Sequence, residues 1–539
     1  MTEKIAPLPD AAPISAARKW AITFTVMVVA FMQILDTSVT NVILPHLQGS
    51  LSAGLDEVSW VITSYLAANA VVIPATGWLT GYFGRRKFFL ICATVFTVSS
   101  FLSGIAPDLT TLIIARIFQG LGGGPIIPMS QAILWEIFPF EQRGLAMAVW
   151  GMGFILGPIL GPTVGGYLAD EASWRWIFYV NLPVGVVGFL LASVFLFDPP
   201  YLRKHSRVDW LGLMLMVLGF GCLQLVLDRG EREEWFDSQI ILAMTVIAVF
   251  ALLAFLVREL TTSEPILDLT VFADRNFAAG TLLSAIVGFG MFAGMLLVAV
   301  FTQKLLGYDA WTAGLVLAPG GLGNIVSLFA SGMVKRVDQR MMLAFGCLLN
   351  AVALYMMTVL TPGMDYWALA FPRFVQGFAS GFIYVPMSTL TLATIRREKL
   401  VNATAVYSMS RNVGASVGIA MVTTLLAQRS QMHQSTLVTH ITSFDAETRA
   451  RIAHYVSHFM SQGSDTFTAQ RRALAMVYRE TVTQAQLLAY VDDFWLLAMM
   501  FAAVPFILPF MRRIRMEKPA AAKPAEEAAR AAPVEEGVA

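Results

Sequence analysis

Four charged residues stand well inside long hydrophobic runs: Asp36, Arg116, Arg373 and Arg411. A charge at bilayer depth costs about 2.5 to 3.5 kcal/mol on insertion scales, so each is a functional candidate by default. Asp36 is the only acid among them, and therefore the natural carrier of a proton. Burial favours the neutral form of a carboxyl group and a nearby Arg favours the charged form, so a modest rearrangement between the two could switch it. The competing reading is a static ion pair that locks helices together. Arg116 lies at a comparable depth in its own run, within ~5 Å of Asp36 along the membrane normal at ~1.5 Å of rise per residue. Gln33 and Thr40 share the helix face of Asp36 at spacings of three and four, which extends the acid into a polar strip facing a cavity. Arg373 is either structural or a contact for an anionic substrate.

Glycines form the second pattern. Gly153, Gly157, Gly161 and Gly165 recur every four residues, with Pro158, Pro162 and Gly166 among them. Small residues at that spacing let two helices approach closely in lipid, and the prolines add bends whose freed carbonyls neighbours must satisfy. His454 and His458 lie one helical turn apart, a spacing that can hold metal. No Cys or clear third ligand accompanies them, so a solvated helix face is expected, with no metal and no cofactor. No P-loop of the Gly-Lys-Ser/Thr type occurs, which argues against ATP hydrolysis by this chain. Nor is there a catalytic constellation, so the chain reads as something other than an enzyme.

These residues need a membrane scaffold. The 539 residues are 57% hydrophobic and 14% charged, against about 25% charged in soluble domains. The net charge of +1 supplies no basic field for nucleic acid. Cys92, Cys222 and Cys347 all lie in apolar runs and imply no disulfide framework. Runs long enough to span a bilayer, roughly 20 residues each, fall near 18–45, 57–82, 88–106, 110–135, 144–169, 176–197, 209–227, 238–257, 277–303, 312–334, 341–360, 366–392, 402–427 and 494–511. The expected fold is an all-α polytopic membrane protein of fourteen helices. Lys and Arg concentrate in the loops on the side of the N-terminus, which makes both termini cytoplasmic. Residues 1–17 form a cytoplasmic tail rather than a cleavable signal peptide. The Ala-, Pro- and Glu-rich end, 513–539, reads as a disordered cytoplasmic tail.

The chain also repeats itself. Displaced by 257 positions, residues 116–161 meet 373–418 with twelve identities, among them Arg116/Arg373, Gln119/Gln376, Gly120/Gly377, Gly157/Gly414 and Gly161/Gly418. An intramembrane Arg followed by Gln-Gly in both copies is more than shared apolar composition. Parallel repeats place a binding site between two bundles near the midplane. The division is an N-terminal six-helix bundle (18–200), two inserted helices (201–262) and a C-terminal six-helix bundle (263–512).

Specific motifs carry a resemblance. They are Leu35-Asp36-Thr37-Ser38-Val39-Thr40-Asn41-Val42 with Pro45; Gly77-Trp78-Leu79-Thr80-Gly81-Tyr82-Phe83-Gly84-Arg85-Arg86; Arg116 with Gln119-Gly120; Gly157-Pro158, Gly161-Pro162 and Gly165-Gly166; and Ser173 to Phe178 with Asn181 and Pro183. Nearly the whole chain resembles the major facilitator superfamily, in its fourteen-helix, EmrB/QacA-like drug:proton antiporter branch. The resemblance implies a major facilitator fold and assigns Arg116 to proton coupling. It makes the glycine helix an antiporter motif that seals the cavity. The loop of Gly77, Gly81, Gly84, Arg85 and Arg86 becomes a cytoplasmic gate. One departure stands out: the superfamily usually has an Asp where this chain has Gly81, so another residue must hold that gate.

Residues 428–493 read as an outer helical hairpin, with Ile452, Tyr455, Val456, Phe459 and Met460 as an apolar stripe. Transport itself needs no such excursion. In the tripartite pumps of this branch, the resemblance implies docking to a periplasmic adaptor protein and an outer-membrane channel. The expected function is proton-driven multidrug efflux of hydrophobic or amphipathic compounds from the bacterial inner membrane, with protons and lipids as the other partners. The alternative is transport of one metabolite, such as a fatty acid, a siderophore or a sugar derivative.

Overall fold

The computed structural model describes residues 15–40, 43–139, 142–200, 208–327, 337–359, 361, 363–442 and 444–512. Residues 1–14 of the expected N-terminal tail, the whole C-terminal tail and the end of the tenth expected span lie outside the described residues. Within them the chain forms helices and no strand. The N-terminal bundle comprises α1 (Ala16–Thr40), α2 (Leu44–Leu51), α3 (Leu55–Phe83), α4 (Arg85–Ile105), α5 (Leu109–Gly123), α6 (Ile126–Ile137), α7 (Arg143–Glu171), α8 (Trp176–Tyr179) and α9 (Asn181–Phe195). The inserted pair is α10 (Trp210–Arg229) and α11 (Gln239–Thr261). The C-terminal bundle comprises α12 (Arg275–Lys304), α13 (Ala310–Val326), α14 (Gln339–Met356), α15 (Tyr366–Leu392), α16 (Leu400–His440), α17 (Ala446–Ser461) and α18 (Thr466–Ala503).

Among the described residues ten helical segments are long and apolar enough to cross a membrane, and α15 with α16 qualify together across a 119° bend. With α7 and the shorter apolar α13, the architecture is consistent with the fourteen expected spans. Two spans are broken. Pro125, which lacks an N–H to donate, separates α5 from α6, and α8 is a single turn before α9. In the second copy the α5/α6 equivalent is the continuous α15, since Phe382 stands where the first copy has Pro125.

Many acids of the chain start helices. Asp108, Asp209, Asp274, Asp309, Asp338, Asp365, Asp445 and Asp465 each accept a backbone N–H in the first turn of the helix that follows, satisfying donors that the helix cannot. Asp36 lies near the C-terminal end of α1 and has no such duty.

Packing divides the bundle by depth. On the face bearing Arg85 and Arg86, called here the basic face, Trp78, Trp135 and Phe138 of the first half share a core with Leu392, Leu400, Ala403 and Val406 of the second. On the opposite, hairpin face, Val39, Leu47, Val58 and Trp174 cluster within the first half alone, while Phe301, Leu369 and Tyr490 belong to a core of the second. Among the described residues the buried apolar clusters thus join the halves on the basic face and stay within one half each on the hairpin face.

Beyond the membrane, α16 continues to His440 and α18 begins at Thr466, with α17 between them. The excursion expected at 428–493 is thus a three-helix projection continuous with two spans. The stripe residues Ile452, Tyr455, Val456 and Phe459 are half-buried, whereas Met460 is exposed.

Candidate functional site

Six helices bring polar groups to one point in the first half. Asp36 and Arg116 are each 1% exposed, and Arg116 Nη1 lies 2.6 Å from Asp36 Oδ2. The other carboxylate oxygen, Oδ1, accepts from Gln119 Nε2 at 2.9 Å and from Asn181 Nδ2 at 2.8 Å. Asn181 also donates to Ser100 Oγ at 3.1 Å, and Ser100 donates to the carbonyl of Phe178 at 2.9 Å. Arg116 Nε donates to the carbonyl of Val61, Nη1 donates to Gln119 Oε1, and the guanidinium lies 4.2 Å from the centroid of the Tyr65 ring.

The arrangement answers the cost of placing ions in a low dielectric. A buried pair survives only where the remaining hydrogen-bonding capacity is also met. Here both carboxylate oxygens are met, by donors from α5 and α9. The sequence motifs contain Gln119 and Asn181, yet nothing in the spacing shows that they converge on Asp36; an Asn at the start of an apolar span was the available signal.

The polar strip has a different fate. Gln33 Nε2 donates to the Tyr65 hydroxyl at 2.9 Å, and Thr40 spends its hydroxyl on the Asp36 carbonyl of its own helix at 2.7 Å. Both side chains are buried. The structure thus places them inside the helix packing around the pair.

The second half lacks the acid. At the same ungapped displacement of 257, Ala293 falls where the first copy has Asp36, and Arg373 donates to Gln376, repeating the Arg116 to Gln119 bond with no carboxylate paired to it among the described residues. Arg411, on α16, lies with its guanidinium 5.3 Å from the Trp150 ring of α7, reaching across the two halves. Two acids just beyond the expected spans 238–257 and 494–511 are also buried. Glu259 accepts the Leu267 N–H at 2.8 Å, and Asp493 is 1% exposed with an Oδ2 that has no hydrogen-bond partner among the described residues. Asp36 is therefore not the sole buried acid, because helix ends fold back beneath loops and neighbouring helices.

The glycine stripe packs on α1. A Cβ on Gly153 would lie 2.9 Å from Met27 and one on Gly165 2.7 Å from Val39, while Gly157 and Gly161 meet Ile34 and Ser38 inside 3.0 Å. Gly166 meets nothing within 4 Å, so it is off the contact. The side chains of Pro158 and Pro162 lie outside the described residues. Gly414 and Gly418 make the corresponding close approach of α16 to α12.

On the basic face, Gly77 abuts Asn402 of α16, with a Cβ 2.9 Å from its Cα. Gly81 is buried. Gly84 turns the chain with φ +86°, in the region that favours glycine. Arg85 pairs with Glu136 at 2.5 Å and donates to the Phe197 carbonyl, and the Arg86 N–H donates to Asp198 at 2.8 Å. Glu136 and Asp198 are thus the carboxylates that hold a loop lacking an acid at Gly81.

Comparison with known proteins agrees with this architecture. The family model described as Major Facilitator Superfamily matches residues 26–419. The chain belongs to the major facilitator superfamily. Within it, the chain is 34% identical over 491 residues to the multidrug export protein EmrB of Escherichia coli (strain K12), covering 91% of this chain and 94% of the relative. It is 34% identical over 459 residues to the fatty acid resistance protein FarB of Neisseria gonorrhoeae, covering 84% and 90%. Among solved structures, the proton:xylose symporter XylE aligns with a TM-score of 0.58 at 16% identity, covering 93% of this chain and 97% of that one. That last likeness is one of fold. In this superfamily member the buried acid and the arginine that pairs with it both belong to the first half.

Proposed function

We propose that the chain is a proton-driven exporter of hydrophobic and amphipathic compounds in the bacterial inner membrane, with both termini cytoplasmic. The observation that carries this reading is the sealed Asp36, Arg116, Gln119 and Asn181 network, supported by the similarity to EmrB. Ionised Asp36 ties α1 to α5 and α9 through three donors. A proton on Asp36 cancels the charge attraction to Arg116, which loosens α5 from α1 and lets the halves change arrangement. Proton and substrate need not touch for this coupling; they need only favour opposite states. In proteoliposomes, an imposed proton gradient should drive flux of a fluorescent lipophilic cation. Flux that persists unchanged after the gradient is collapsed would defeat the reading.

Docking of a periplasmic adaptor is part of the same proposal. The projection exposes Phe444, Phe467, Leu474 and Tyr478, apolar groups that would gain by being covered. Replacing 432–485 with a short flexible linker should leave the protein inserted and folded but abolish export across the envelope. Wild-type resistance in that variant would exclude the adaptor role.

A second reading has one observation behind it. Arg373 is buried and bonded to neutral Gln376, with Ala293 where the first half has its acid. A carboxylate-bearing amphiphile such as a fatty acid would supply the missing charge there, and FarB bears the name of a fatty acid resistance protein. Arg373→Gln should then impair export of anionic amphiphiles more than of cations.

A further inference from the structure

The inserted pair occupies a definite place between the halves. α10 lies along α3 of the first half and α16 of the second, while α11 packs outside it, where a Cβ on Gly219 would come within 2.8 Å of Leu252. Near its hairpin-face end α10 is bonded to both sides. Toward α3, Asp228 accepts the Thr63 hydroxyl, Arg229 Nη2 donates to Ser59 Oγ at 2.9 Å, and the Arg229 guanidinium lies 4.1 Å from the Trp60 ring centroid. Toward α16, Gln224 and Ser416 exchange hydrogen bonds at 3.0 and 3.1 Å, and Trp235 Nε1 donates to Thr424 Oγ1 at 3.0 Å.

The two sets differ in strength. Hydrogen bonds with an ionised partner are roughly twice as strong as neutral ones; those to α3 involve Asp228 and Arg229, and those to α16 are all neutral. A second observation concerns Trp235. It and Glu234 adopt φ of 54° and 57°, a left-handed conformation that non-glycine residues take only where surroundings enforce it. That turn carries the Trp235 ring onto α16.

The buried apolar clusters join the halves on the basic face and stay within one half each on the hairpin face, so a transport cycle must change the separation of α3 and α16 at the end where α10 bridges them. A rigid helix cannot keep both sets of bonds through that change. We propose that the inserted pair travels with the first half and clasps the second through Gln224 and Trp235 only while the hairpin face is open, so that these two residues set the balance between the two arrangements. They are positioning residues. The inference rests on the transporter reading, because it requires that the halves move.

The test compares crosslinks at the two contacts in a Cys222→Ala background, using a short bis-methanethiosulfonate. Linking Gln224→Cys to Ser416→Cys should lower dye flux at least about ten-fold relative to the same protein after reduction, while linking Thr63→Cys to Asp228→Cys should leave it within about two-fold. Free flux through the first crosslink, or equal arrest by the second, would overturn the clasp. A second measurement needs no substrate and so separates this inference from the transporter reading. With spin labels at Ser50→Cys and Lys304→Cys across the hairpin-face mouth, Trp235→Phe should reduce the ratio of open to closed distances about five-fold, the worth of one net hydrogen bond. An unchanged distribution would contradict the proposal.

Discussion

Gly161 of α7 faces Ser38 of α1 so closely that a Cβ on the glycine would lie inside 3.0 Å of the serine side chain. Ser38 is two residues from Asp36, so this contact fixes the helix that carries the buried acid. Gly161→Leu or Gly157→Leu should abolish transport at equal expression, whereas Gly151→Leu, at a site with nothing within 4 Å, should be tolerated. Equal behaviour of all three in a flux assay would reduce the stripe to ordinary filler.

The basic-face loop makes a separate prediction. Arg85 is 2% exposed and its charge is answered by Glu136. Glu136→Gln preserves shape but leaves a buried guanidinium uncompensated, a loss of about 3 to 5 kcal/mol when one partner of a buried pair is removed. The melting temperature in detergent should fall clearly. A melting curve superimposable on that of the wild type would show that the pair does not hold the loop.

The helical projection should respond to acid. Hydrogen bonds from Thr448 hold the Asp445 carboxyl below its ordinary 3.8, and hydrogen bonds from Thr468 do the same for Asp465. A lowered folded-state value means that the stabilisation is present above pH 3.8 and is lost as pH falls through the lower folded value. Amide exchange at 446–449 and 466–469 should therefore be constant from pH 8 to 5, once corrected for intrinsic rates, and rise only below about pH 4, in line with carboxyl titration. Loosening near pH 6 would place the sensitivity elsewhere. Asp445→Ala should loosen the start of α17 at every pH.

Much of this was legible in the residues, and the exceptions have physical causes. Hydropathy marks spans because lipid forbids unsatisfied backbone, and the repeat of Arg116 in Arg373 divides the chain into halves. An acid and a base at similar depth suggested the Asp36 and Arg116 pair. What spacing cannot show is convergence across long separations: Asn181 reaches Asp36 from 145 positions away. Nor does a shared helix face reveal how a hydroxyl is spent, as Thr40 shows by bonding its own backbone. Gly166 follows Gly165 by one position, and that turn of ~100° at 3.6 residues per turn is enough to remove it from the α1 contact. The carboxylates at that loop, Glu136 on α6 and Asp198 in the segment after α9, come from distant parts of the chain, so the loop motif alone could not name them.

Asp36 is the proposed carrier of the transported proton. Asp36→Asn is nearly isosteric and permanently neutral, so it should insert normally and still bind neutral compounds. The direct measurement is proton release from purified protein on addition of a transported drug, in weakly buffered detergent solution. The wild type should release protons in proportion to bound drug, and Asp36→Asn should release none. Release from Asp36→Asn at the wild-type level would show that another group carries the proton.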